Sequence, residues 1–79
     1  MDMYIAKTFG KIQAELEIDN DQGISHCYLT MGDYSASLEC AAHTAALEDS
    51  HGREYAIPMN TLEKIESWAV AHEIGRAHV

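Results

Sequence analysis

The sequence predicts an α+β fold. The expected form is a small antiparallel β-sheet of three to five strands with one C-terminal amphipathic helix packed on one face. Three observations carry this expectation. Residues 12–18 alternate apolar and polar side chains with the period of a half-buried strand. Two apolar runs flank the dipeptide Gly32-Asp33, as in a tight hairpin. Leu62, Ile65, Trp68 and Ala69 recur at helical spacing near the C-terminus.

The elements follow in order. Met3 to Phe9 reads as a short first strand, turning near Gly10. In the second strand Ile12, Ala14, Leu16 and Ile18 share one face, and Gln13, Glu15 and Glu17 the other. Asp19 to Gly23 is rich in turn formers. Ile24 to Met31 forms the third strand. Ser25, Cys27, Leu29 and Met31 fall on one face, and Ile24, His26, Tyr28 and Thr30 on the other. After Gly32-Asp33 the alternation resumes with Tyr34, Ala36, Leu38 and Cys40.

Residues 38–49 admit two readings. Alanine content favours helix, with Ser37 as cap and Gly52 as stop. The alternation that begins at Tyr34 runs into this stretch without a break. A strand also gives Leu47 a partner at Tyr55 and Ile57 across a turn at Ser50-His51-Gly52. The expectation is therefore strand, with a bulge near Ala41-Ala42. Pro58 holds Ile57 extended. Asn60 and Glu63 form an N-cap pair, and an amphipathic helix spans Thr61 to His72. Its apolar stripe and the apolar sheet face are expected to cover each other, with Trp68 as the largest contributor.

Seventy-nine residues allow one domain. The last seven stand apart. Glu73 to Val79 back-translate to GAG ATC GGA AGA GCA CAC GTC before a TGA stop. From the second base onward this is a common sequencing-library adapter read in frame. Residues 1–72 are read as the natural domain, and 73–79 as a read-through tail outside its fold. A metagenomic or draft-genome origin, microbial or viral, follows. Setting the tail aside removes Glu73 and Arg76 together, so the net charge of −8 is unchanged. About 72 residues make a marginal core. Pairing of two copies into a homodimer, edge to edge or face to face, would relieve it.

Composition excludes several function classes. The charge of −8 argues against direct nucleic-acid binding through a basic patch. No apolar run is long enough to span a membrane, and no signal peptide is legible, so a cytoplasmic location is expected. No phosphate-binding glycine loop occurs. His26-Cys27 with Cys40 and His43 resembles a Cys2His2 metal set. Strand geometry, however, puts the cysteines and histidines on opposite faces. No metal, cofactor or catalytic residue is expected, and two free thiols are the simpler account.

The acidic face remains. Glu15, Glu17 and Glu39, with Asp19, Asp21, Asp33, Glu48 and Asp49 at strand ends, are expected to form one negative surface that attracts basic partners. Small acidic single-domain chains without catalytic motifs resemble in kind the inhibitors of phages and mobile elements, including anti-CRISPR and anti-restriction proteins. The leading expectation is a non-enzymatic interaction protein that docks on a basic, nucleic-acid-binding surface of another protein. The alternatives are a dimeric accessory module with incidental acidity, and a metal or redox module using Cys27 and Cys40.

Overall fold

The computed structural model describes residues 3–19 and 23–77. Six strands form one antiparallel sheet in the order of the chain, β1-β2-β3-β4-β5-β6. They are β1 (Met3–Phe9), β2 (Ile12–Asp19), β3 (Gly23–Met31), β4 (Tyr34–Ser37), β5 (Ala46–Glu48) and β6 (Glu54–Ala56). Helix α1 (Leu38–Thr44) connects β4 to β5, and helix α2 (Met59–Ala77) follows β6. The expected α+β architecture holds, but the sheet has six strands rather than three to five, and a second helix interrupts it.

That extra helix corrects the strand reading of 38–49. Ser37 sits in extended backbone, and its hydroxyl accepts the Cys40 N–H at 3.3 Å. This supplies one of the donors that a helix start leaves unsatisfied. Ala41 and Ala42 then favour helix, and Ala41 is buried. The Thr44 hydroxyl donates back to the Cys40 carbonyl at 2.9 Å. Ala45 ends the helix in the left-handed region at φ 54°, with its N–H bonded to the Ala41 carbonyl. Only then does β5 begin, and Leu47 pairs with Tyr55 as the sequence implied.

The third strand holds a second correction. The β2–β3 register steps from Glu17↔His26 to Ile18↔Ile24, so residue 25 is an extra residue on β3. A one-residue bulge swaps faces beyond it. Ile24, expected on the polar side, therefore packs on the core with Leu16 and Ile18. The turn residues expected at 20–22 lie outside the described residues.

The core is the sheet face under α2. Ile12, Ala14, Leu16 and Ile18 of β2 are all buried, as are Leu29, Leu47 and Ile57. Leu62, Ile65 and Ala69 of α2 close over them. Trp68 is half-buried and touches both parts of the core. Its ring meets Phe9 edge-on at 5.6 Å between centroids, and His72 at 5.5 Å. The helix starts at Met59, and the Pro58 carbonyl accepts the Leu62 N–H at 3.0 Å. Asn60 is thus inside the first turn and not the cap. The backbone of α2 continues to Ala77, beyond the His72 end read from the periodicity.

Two stability outcomes follow. Ile65 is fully buried, so Ile65→Ala should cost about 2–5 kcal/mol in urea denaturation, a large share of such a domain's stability. Ala45→Gly relieves the left-handed backbone and should raise stability by about 0.5–1 kcal/mol, seen as a higher Tm.

Candidate functional site

The hairpin between β1 and β2 turns through Gly10 and Lys11, and Gly10 takes φ 65° as a two-residue turn requires. This turn fixes the phase of both strands. Ile5, Lys7 and Phe9 face the helix side with Leu16, Ala14 and Ile12. Tyr4, Ala6 and Thr8 face away, beside Glu17, Glu15 and Gln13. The open face continues across the sheet in rows. One runs Tyr4–Glu17–His26, and the next Ala6–Glu15–Tyr28–Ser37. A third runs Thr8–Gln13–Thr30–Ser35–Glu48–Glu54. No described element covers this face.

The two carboxylates of β2 are thus brought together on the open side, as the alternation implied. Glu15 is exposed, and Glu17 is partly so. Aromatic side chains flank them. Tyr4 is 62% exposed and Tyr28 49%, and the His26 and Tyr28 rings stack at 5.6 Å. A second acidic pair lies further along the same face, where Glu48 sits directly opposite Glu54. Like charges so placed repel, so this pair is a site of local electrostatic cost. Glu54 was missed in the sequence because a three-residue strand shows no alternation.

Glu39 is not part of this face. It was expected on a strand, but it occupies the first turn of α1. There it lines a shallow groove with Cys27, Leu38, Glu66 and Val70, between α1, α2 and β3. Asp49 also leaves the expected surface. Its side chain is only 3% exposed, and its carboxylate accepts the His51 N–H at 2.9 Å and the Arg53 N–H at 2.8 Å. The Arg53 Nε adds a third bond at 2.8 Å. Burial alone would raise the Asp49 carboxyl, but these hydrogen bonds outweigh it and hold it below the usual carboxylate range. Asp49 closes the β5–β6 loop and is not available to a partner. Asp33 is exposed in the β3–β4 turn, and Asp21 lies outside the described residues.

The thiols separate as well. Cys27 lies opposite Leu16 on the helix side, half-buried, and burial pushes its thiol up to about 11. Cys40 is exposed on α1. Helix geometry brings Cys40 and His43 toward one face, while His26 stays on the open side of the sheet. Among the described residues, no group of three or more His, Cys, Asp or Glu is placed to hold a metal ion. No described helix is long and apolar enough to cross a membrane. Compared with models of known protein families, with curated proteins and with solved structures, the chain matches none.

Two outcomes test these environments. A carboxyl whose pKa is lowered in the fold stabilises above its unfolded pKa, near 3.8, and loses that contribution as pH falls through its folded value. Asp49→Asn should therefore lower Tm at pH 7, and the gap to wild type should narrow as pH falls below about 4. A disulfide reagent at pH 8 should modify Cys40 first, with Cys27 following only as the fold opens.

Proposed function

We propose that the chain is a non-enzymatic interaction protein that docks by its open sheet face on a basic surface of another protein. The basic surface belongs to a nucleic-acid-binding protein, whose site the acidic face occupies in place of a phosphate backbone. One observation carries this reading. The face opposite α2 bears Glu15 and Glu17 among exposed Tyr4 and Tyr28, with Glu48 and Glu54 further along. Carboxylates accept the forked N–H groups of arginine, and tyrosine rings favour a cation over their faces. A net charge of −8 speeds encounter with a positive partner. In this reading Glu15 and Glu17 make the contacts. Glu39, on α1, adds to the long-range field. An inhibitor of the kind carried by phages and mobile elements fits this behaviour, and the protein then works where its target does, in the cytoplasm.

The test uses the whole chain as bait in a microbial lysate at low salt. The captured protein should bind nucleic acid, and added duplex should displace it. Glu15→Lys with Glu17→Lys should weaken capture by about tenfold or more while leaving the circular dichroism spectrum intact. Glu39→Lys alone should weaken it far less. Raising salt should release the partner. Capture that resists both charge reversal and salt would discard the electrostatic dock and favour an accessory module whose acidity is incidental.

A further inference from the structure

We propose that the groove between β1 and α2 binds a small anion that carries a flat ring, of the nucleoside monophosphate class. The groove follows from how the helix lies on the sheet. Ile12, Ala14, Leu16 and Ile18 of β2 are buried beneath the helix side. β1 stands at the end of the described sheet, and its helix-side residues are covered less. Ile5 and Phe9 are half-buried there. Lys7 is exposed, although Ala14, opposite it on β2, is fully buried. What remains between β1 and α2 is an open space of about 820 Å³, a size that suits a small molecule.

The lining runs against the charge of the whole chain. There are five lysines and arginines against thirteen acids. Lys7 and Lys64 both line this groove, and Glu63 is the one acid among its described lining residues. Among the described residues neither lysine is paired with a carboxylate, whereas Arg53 is committed to Asp49. The Lys7 ammonium stands 5.4 Å from the centroid of the Phe9 ring. That contact holds the charge at the groove and leaves its N–H groups able to donate. A phosphate monoester carries nearly two negative charges at neutral pH, and lysine suits it as a point charge. Two ammonium groups match that charge.

Rings supply the other half of the site. Phe9 and Trp68 meet edge-on at 5.6 Å, and both are only partly buried where they line the groove. On α2, Asn60, Lys64 and Trp68 recur at a spacing of four residues, which sets an amide, an ammonium and an indole in a row along one side. A planar base stacks on such rings, and the Asn60 amide can both donate to and accept from a base edge. A nucleic-acid strand is the poorer occupant, because its further phosphates meet the field of a chain with net charge −8. An inward lysine on an end strand also discourages another strand from pairing there. That role needs Lys7 alone, and it leaves Lys64, Asn60 and the rings unaccounted for. The groove lies on the helix side of the sheet, away from Glu15 and Glu17, so the inference does not rest on the proposed docking face.

Trp68 is the one tryptophan of the chain, so its fluorescence reports on the groove. Titration of the full chain with adenosine monophosphate should give a saturable change. Adenosine alone and inorganic phosphate alone should each bind about tenfold more weakly, or worse. Lys7→Gln and Lys64→Gln should each weaken the monophosphate by about fivefold or more. Lys11→Gln removes the same charge at the β1–β2 turn, outside the groove, and should leave affinity within about twofold. All three lysines are exposed, and circular dichroism checks that each variant keeps the fold. No saturation at millimolar monophosphate, or an equal loss in all three variants, overturns the inference. So does wild-type affinity in folded Lys7→Gln and Lys64→Gln, even where Lys7→Gln associates with itself. Inorganic phosphate that binds as tightly as the monophosphate takes the ring out of the site, and overturns it as well.

Discussion

The burial of one apolar sheet face beneath α2 governs the rest of the molecule. β2 supplies four consecutive inward positions, Ile12, Ala14, Leu16 and Ile18, all of them buried. The helix answers with Leu62, Ile65 and Ala69. Small residues also stand in the core. Ala14, Ala41 and Ala69 are all buried, and in a close-packed interior a larger side chain at any of them would have to displace its neighbours. With α1 and α2 both contributing to the core on one face, the other face has no apolar obligation. Its side chains answer only to solvent and to whatever they meet.

This division explains which parts of the fold were legible. The β2 strand and the α2 stripe each extend over enough residues for their periods, 2 and 3.6, to be unmistakable. The Gly32-Asp33 hairpin was legible from turn chemistry, and its register follows with Met31↔Tyr34 closing it. Helix α1 was not. It has seven residues, two turns at most, and a strand-like alternation runs from Tyr34 through Cys40 across its start. Local hydrogen bonding at Ser37 and the left-handed stop at Ala45 decided the matter. The bulge at residue 25 was equally hidden, because an alternating pattern carries no mark of the point where its phase slips.

The site divides in the same way. Glu15 and Glu17 were placed correctly because their position depends only on the phase of β2. Glu39 was misplaced because its position depended on extending β4 through what is a helix. Asp49 looked like one more surface acid, yet the loop between β5 and β6 folds around its carboxylate. Tyr4, His26 and Tyr28 reach the carboxylates only through cross-strand register, which joins residues distant in sequence. Composition had counted the acids. It could not say that aromatic rings stand beside the two on β2.

Charge is distributed unevenly over the described strands of this sheet. Its acids lie on β2, β5 and β6, and β1 is left with a single lysine. Glu15 is exposed on that open face, where dissolved salt screens its charge. The described strands therefore set Glu15, Glu17, Glu48 and Glu54 on the face that α2 leaves open, and Lys7 on the face it covers. β2 holds Glu15 and Glu17 on that face through the same four side chains that pack beneath α2.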